Sequence, residues 1–111
     1  MDLESDLEAF AASLARLSLP AARLRVLEEC QRIDQAMTRP REKRHAASRA
    51  RDRYGTYRVR LSGLSSWLLD LTLPRGPLVE GDHPIYRRLA ERWVRRGELK
   101  PSALAEFDRK E

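Results

Sequence analysis

The chain has 111 residues, of which 41% are hydrophobic and 35% are charged, and its formal net charge is +5. This length suits one helical domain covering residues 1–111, and the composition is too apolar for a wholly disordered chain. The sequence has no apolar run of membrane-spanning length, and the acids near its start argue against a leader peptide. The single cysteine, Cys30, excludes an internal disulfide and indicates a reducing compartment. We therefore expect a cytoplasmic protein of prokaryotic or phage origin without membrane contact.

The first predicted helix covers most of residues 1–17. Ser5 and Glu8 match a capping box, and apolar residues recur at alternating spacings of four and three positions. These apolar residues are Leu3, Leu7, Phe10, Leu14 and Leu17. Such a pattern predicts a helix that buries one narrow face.

A break at residues 18–20 separates the first helix from the second. Ser18 can cap a new helix, and Pro20 is tolerated in its first turn. Pro40 disfavours helical geometry at the residue before it, so the second helix is predicted to end near Met37. Its expected apolar face consists of Leu24, Val26, Leu27, Cys30, Ile33 and Met37. Residues 1–38 are therefore predicted to form an antiparallel helical hairpin.

The most regular pattern lies in residues 41–73, where apolar residues alternate three and four positions apart. They are Ala47, Ala50, Tyr54, Tyr57, Leu61, Leu64, Leu68 and Leu71. This spacing predicts one long basic helix. Gly55 and Gly63 each cost roughly 1 kcal/mol relative to alanine, which leaves a break at either position open. The alternative is an α+β fold with a short β-hairpin around residues 56–73, because apolar side chains at 57–61 also alternate at a period of two.

The chain after residue 73 is divided by prolines and glycines. Residues 74–83 are predicted to form a loop, and Asp82 can cap a helix that begins near Pro84. Residues 84–111 are predicted to hold this helix and a short final helix. Their inward-facing residues should be Ile85, Leu89, Trp93, Leu104 and Phe107. The sequence as a whole predicts an all-α bundle of about five helices.

Positive charge is concentrated between residues 39 and 60, which include nine Arg or Lys residues and only two acidic residues. On the long predicted helix, one flank of the apolar face carries Arg44, Arg51 and Arg58. The opposite flank carries Arg53 and Arg60, and a second basic face is predicted on the helix near the C-terminus. The candidate binding residues are Arg41, Lys43, Arg44, Arg49, Arg51, Arg53, Arg58, Arg60, Arg88, Arg92, Arg95 and Arg96.

No catalytic, cofactor-binding or metal-binding pattern occurs in the sequence. His45 and His83 lie apart, without cysteines or carboxylates at ligand spacing, and there is neither a phosphate-binding glycine loop nor a G-x-S-x-G turn. Aromatic residues could stack on bases, but core positions are the favoured interpretation for all of them. They are Tyr54, Tyr57, Trp67, Tyr86 and Trp93. We therefore expect no enzyme, no cofactor and no small-molecule substrate.

The charge distribution indicates a polyanionic or acidic partner. Our leading hypothesis is a small basic nucleic-acid-associated protein that binds backbone phosphates of DNA or RNA with little sequence specificity. It would act as an accessory subunit of a larger prokaryotic nucleoprotein complex. The alternative is a helical protein-binding regulator, such as an adaptor, anti-activator or phage-type inhibitor, that docks on an acidic protein surface. A solvated charged face without any partner is the third interpretation.

Overall fold

The computed structural model describes the backbone of residues 3–37 and 44–108 and the side chains of residues 6–36 and 55–108. Within these ranges the protein is all-α, with five helices and no β-strand, so the predicted fold class is confirmed and the β-hairpin alternative is wrong. The helices are α1 (Leu3–Leu14), α2 (Leu19–Met37), α3 (Arg44–Asp70), α4 (His83–Arg95) and α5 (Ala105–Asp108). Short 3-10 turns at Glu80–Asp82 and Pro101–Leu104 precede α4 and α5.

The two longest helices, α2 and α3, pack side by side and run antiparallel. Near the start of α2, Arg23 donates from Nε to the carbonyl oxygen of Leu68, close to the end of α3, at 2.7 Å. Near the end of α2, Asp34 accepts from Arg58, ten residues earlier on α3, at 2.8 Å. The packing between these two helices is the most extensive in the described part of the fold, and α1 packs against α3 and α4.

A cluster of aromatic rings joins α3 to the C-terminal elements. The Trp67 ring stacks on Tyr86 and Trp93, with centroid distances of 5.2 and 6.4 Å, and meets the edge of Phe107 at 6.0 Å. Trp67, Tyr86 and Trp93 are almost completely buried. Aromatic pairs of this kind contribute about 0.5–1.5 kcal/mol each beyond the area that they bury. The cluster therefore holds α4 and α5 against the C-terminal part of α3.

The apolar faces predicted for α1, α3 and the C-terminal helices are confirmed wherever their side chains are described. The buried members are Leu7, Phe10, Leu14, Tyr57, Leu61, Leu64, Leu68, Ile85, Leu89 and Trp93, and the partly buried ones are Leu17, Leu71, Leu104 and Phe107. Several predicted members lie outside the described side chains, namely Leu3, Met37, Ala47, Ala50 and Tyr54. The three-four spacing therefore located the core correctly in these helices.

The predicted apolar face of α2 is too wide. Val26, Cys30 and Ile33 are buried as expected, but Leu24 and Leu27 are 63% and 47% exposed. The buried residues follow a single stripe at spacings of three and four, so α2 contacts the bundle along a narrow line. The side of the helix that carries the two leucines consequently faces solvent.

Helix α3 passes through both glycines without a break, and it ends at Asp70. Leu71 then adopts a left-handed φ of 60°, so the helix ends three residues before the predicted limit at residue 73. At Gly63 the helix comes close to the segment before α4. A Cβ atom at this position would lie 2.7 Å from Val79 Cγ1 and 3.0 Å from Tyr86 Oη. The absent side chain at Gly63 is therefore needed for close packing.

The two glycines of α3 should respond in opposite ways to the same substitution. We expect Gly63→Ala to lower the free energy of unfolding by about 1–3 kcal/mol, because the Val79 side chain would have to move. Gly55→Ala should raise it by up to about 1 kcal/mol, since no described atom lies within 4 Å of the added Cβ and alanine favours helix. Urea unfolding of both variants checks this prediction, and an equal gain in stability at the two positions would contradict it.

Helix α4 ends in a Schellman-type C-cap. Gly97 has a φ of 80°, its N–H donates to the carbonyl of Val94 at 3.0 Å, and the N–H of Glu98 donates to the carbonyl of Trp93 at 2.8 Å. This left-handed turn redirects the chain and places the Glu98 side chain beside the start of α2.

The turn between α1 and α2 is fixed to this end of α4. Trp93 Nε1 and Arg96 Nη1 both donate to the carbonyl oxygen of Leu17 at 3.0 Å. The backbone N–H of Leu19 donates to Glu98 Oε1 at 2.8 Å, so a carboxylate lies at the N-terminus of α2, where the helix dipole favours negative charge. These three hydrogen bonds set the position of α1 relative to α4.

Candidate functional site

The two arginines of the basic run whose side chains are described, Arg58 and Arg60, both form ion pairs within the protein. Arg58 donates from Nε to Asp34 Oδ1 at 2.8 Å and from Nη1 to Ser62 Oγ at 2.6 Å. The hydrogen bond to Asp34 raises the pKa of the Arg58 guanidinium. Its side chain is 27% exposed. Arg58 therefore joins α2 to α3, and its charge is largely neutralised by Asp34.

Arg60 does not belong to an exposed basic surface. Its guanidinium makes a bidentate ion pair with Asp82, from Nη2 to Oδ1 at 2.7 Å and from Nε to Oδ2 at 3.0 Å. The two side chains are only 9% and 5% exposed. This pair also corrects the predicted cap of α4, because Asp82 occupies the N-cap position but makes no side-chain hydrogen bond to the α4 backbone. The helix begins at His83, next to the pair.

The remaining candidates in the basic run lie where the structure gives less detail. Arg44, Arg49, Arg51 and Arg53 are part of α3, and their side chains lie outside the described ones. Arg41 and Lys43 lie outside the described residues. Their joint role in a binding surface stays a prediction.

Helix α4 and its C-cap residue present four exposed arginines, which we call the α4 arginine row. They are Arg88, Arg92, Arg95 and Arg96. Spacings of four, three and one residues keep them on one side of the helix over about 12 Å of its length. The neighbouring Arg87 is different, because it is paired with Glu91 and Asp108 at 3.2 and 2.8 Å.

The charges of the α4 arginine row are little compensated by other described residues. Arg92 and Arg95 make no ion pair or hydrogen bond to any described side chain. Arg96 donates to a carbonyl, which leaves its charge in place. Arg88 lies 3.9 Å from Glu8, with both side chains more than half exposed, so this pair is weak. The row is therefore a positive surface available to an anionic partner.

A groove of about 620 Å³ lies beside the row, between α1 and α4. Its lining residues are Glu8, Ala9, Ala11, Ala12, Ala15, Arg16, Ile85, Arg88, Leu89 and Arg92. The exposed Arg16, in the turn after α1, brings a further positive charge to the same side of the molecule. Sequence reasoning missed Arg16 and the groove, because neither α1 alone nor α4 alone shows which of their faces meet.

The described aromatic residues are in the core, as favoured from the sequence. Tyr57, Trp67, Tyr86 and Trp93 are each at most 5% exposed, whereas the Tyr54 side chain lies outside the described ones. The α4 arginine row thus has no exposed aromatic ring of this set beside it for base stacking. Its chemistry is that of guanidinium groups, which donate planar pairs of hydrogen bonds to phosphates or carboxylates.

A charged cluster of Glu29, Arg32 and Tyr57 lies at the α2–α3 interface. Glu29 accepts from Arg32 at 2.7 and 2.9 Å and from the Tyr57 hydroxyl at 3.0 Å. The Arg32 guanidinium holds the pKa of Glu29 below its ordinary value, although burial acts in the opposite direction. Burial, together with the Glu29 charge, raises the pKa of Tyr57. Glu29 therefore stabilises the fold as a carboxylate.

Replacing Glu29 should make stability less dependent on acid pH. Because its pKa is lower in the folded protein, Glu29 stabilises the fold above about pH 4.5, and this contribution is lost as the pH falls through the folded pKa. We expect Glu29→Gln to lower the free energy of unfolding by roughly 1–3 kcal/mol at pH 7. The deficit should shrink towards pH 3 in urea unfolding experiments. A deficit that is constant across this range would contradict the assignment.

The described residues give little evidence of metal binding or of a reactive nucleophile. No group of three or more His, Cys, Asp or Glu side chains within 6–36 and 55–108 could hold a metal ion. Cys30 is buried, and burial raises the pKa of its thiol, which makes it a poor nucleophile. His83 Nε2 lies 2.8 Å from the carbonyl oxygen of Pro74. None of the helices in the described ranges has the length and apolarity needed to cross a membrane.

No protein-family model matches the chain, and neither the curated proteins nor the solved structures include a match to it. The function therefore has to be inferred from the geometry and charge of the described surface.

Proposed function

We propose that this protein is a small, non-enzymatic, nucleic-acid-associated protein that binds backbone phosphates through the α4 arginine row. It would bind with little sequence specificity, as an accessory subunit of a larger prokaryotic nucleoprotein complex. The observation that carries the proposal is the set of four exposed arginines along one side of α4, little compensated by acids in the described part of the chain. A compact row of this kind gives the sequence-independent electrostatic contact typical of phosphate binding.

The surroundings of the row favour phosphates over bases. Base recognition in single strands relies on exposed aromatic rings, whereas Trp67, Tyr86 and Trp93 are buried in this fold. Reading of base edges in duplex DNA needs a helix or ribbon with suitably placed polar side chains in the major groove. The row offers guanidinium groups only, which can bind phosphates and guanine edges but have no amide or carboxylate among them to read the other bases. We therefore propose contact with the backbone of a duplex as its main mode of binding.

The arginines at the start of α3 have side chains outside the described ones. Arg51 and Arg53 precede Arg58 and Arg60 by seven residues and so share their positions around the helix. Arg58 and Arg60 are themselves paired, Arg58 with Asp34 and Arg60 with Asp82. The proposal rests on α4 and does not require a contribution from α3.

The protein-binding alternative also has a specific observation in its favour. The groove beside the row has an apolar floor, which a phosphate backbone would leave unfilled. A regulator that docks on an acidic protein surface would use such a floor together with the arginines.

The proposed function is tested by equilibrium binding of fluorescently labelled nucleic acids. We expect DNA and RNA duplexes of about 20 base pairs and unrelated sequence to bind with similar, micromolar or tighter affinity at roughly 50 mM salt. Single strands of the same length should bind no more tightly than the duplexes. Failure to bind any of the four nucleic acids at low salt would end the proposal.

A further inference from the structure

The groove between α1 and α4 has an apolar floor and a positive rim. Its floor is formed by Ala9, Ala11, Ala12, Ala15, Ile85 and Leu89. Its charged lining residues are Arg16, Arg88 and Arg92, against one acid, Glu8. Phosphate binding would use the arginines but would leave the floor without a role.

The sequence builds the groove by placing alanines on the side of α1 that faces it. Ala11 is 3% exposed and packs in the core, whereas Ala9 and Ala12 are exposed. Short side chains on this face let another helix approach closely, since packed helix axes lie 8–10 Å apart when the contact residues permit. The hydrogen bonds of Leu17 with Trp93 and Arg96 hold the two walls in place. The groove is therefore a fixed feature of the fold.

The charge on the rim determines the chemistry of the partner. Arg16 and Arg92 form no ion pair with any residue in the described ranges, and the Arg88–Glu8 separation of 3.9 Å joins two exposed side chains. A partner with carboxylates on both sides of an apolar stripe would complement this surface. A second copy of the chain would bring the same three arginines to the contact, which opposes self-association through this groove.

We propose that the α1–α4 groove docks an acidic amphipathic helix of a protein partner, with its apolar residues on the alanine floor and its carboxylates on Arg16, Arg88 and Arg92. This inference goes beyond the proposed function, because it adds a protein-docking site that shares Arg88 and Arg92 with the α4 arginine row. An accessory subunit needs such a contact to join a larger complex. Arg95 and Arg96 are not among the residues that line the groove, so a docked helix would leave them to the nucleic acid.

The experiment uses the full chain and three synthetic 18-residue peptides. The first carries leucines at helical spacings of three and four, flanked by glutamates. The second has lysines in place of the glutamates, and the third has serines in place of the leucines. Ala12→Leu fills the groove without changing the charge and with only a small loss of helix propensity, and Ala105→Leu makes the same change at an exposed position outside the groove. Binding is measured by calorimetry and the contact is mapped by NMR chemical shifts.

We expect the acidic leucine peptide to bind the wild type at least tenfold more tightly than the other two peptides and to shift α1 and α4 resonances. Ala12→Leu should weaken it at least tenfold, Ala105→Leu should not, and both variants should bind duplex nucleic acid like the wild type. Equal binding of the serine peptide, shifts outside the groove, or no binding of the acidic leucine peptide would overturn the proposal. A loss of duplex binding in Ala12→Leu would also overturn it, because the groove would then bind nucleic acid. A wild-type dimer that Ala12→Leu abolishes would overturn it as well, because the groove would then bind a second copy of the chain. Loss of duplex binding by the wild type, with the peptide still bound, would remove only the proposed function.

Discussion

The substitution Asp82→Ala is expected to lower the free energy of unfolding by about 3–5 kcal/mol, because it removes the carboxylate that makes a bidentate ion pair with the buried Arg60 guanidinium. Arg60 lies in the middle of α3, and its side chain is only 9% exposed, so solvent cannot take the place of the carboxylate without opening the fold. Domains of this size are stable by about 5–15 kcal/mol in total. The variant should therefore unfold at much lower urea concentrations than the wild type.

A double variant separates the loss of a partner from the loss of packing. Arg60→Met/Asp82→Leu replaces the ion pair with apolar side chains of similar size, and such replacements are often neutral or stabilising. We expect the double variant to be more stable than Asp82→Ala and Arg60→Met, each measured by urea unfolding. A loss below about 1 kcal/mol in both single variants would contradict the buried pair.

The triple variant Arg88→Ala/Arg92→Ala/Arg95→Ala is expected to weaken duplex binding by at least about 100-fold at roughly 50 mM salt. Each arginine would lose a phosphate contact, and the three side chains are exposed, so the fold should be retained. Arg96 is left intact because its hydrogen bond to Leu17 holds the α1–α2 turn. Binding is measured by fluorescence anisotropy, and retention of the fold by circular dichroism.

A matched control tests whether position or net charge determines this effect. Gln31→Glu/Ser66→Glu/Leu69→Glu also lowers the net charge by three, at exposed positions on α2 and α3 instead of α4. We expect it to weaken duplex binding much less than the alanine variant does. Equal losses in the two triple variants would show that binding follows overall charge, and the α4 arginine row would lose its specific role.

The helices could be predicted because their signals are local. The three-four spacing of Tyr57, Leu61, Leu64 and Leu68 fixed the buried face of α3, and it outweighed the glycines that suggested a break. In α2 the same reasoning failed for Leu24, because apolarity alone does not show how wide the contact with a neighbouring helix is.

The candidate site could be predicted only in part, because its remaining features depend on contacts between distant residues. The exposed arginines of α4 followed from helical spacing. The burial of Arg60 depends on Asp82, which is 22 residues away, and no periodicity links the two. The α1–α4 groove depends on the hydrogen bonds of Leu17 with Trp93 and Arg96, whose sequence separations are 76 and 79 residues. The charge density of the sequence therefore located a basic segment, whereas the fold determined which of the described arginines are exposed and can bind a partner.

The salt dependence of duplex binding tests the central proposal most directly. Affinities of the wild type and the alanine triple variant would be measured with one 20-base-pair DNA between roughly 50 and 300 mM salt. We predict that log K falls against log salt with a slope of about −3 or steeper for the wild type, and that the slope of the variant is smaller by about three. Equal slopes for the two proteins, or wild-type binding that does not change with salt, would contradict phosphate binding by the α4 arginine row.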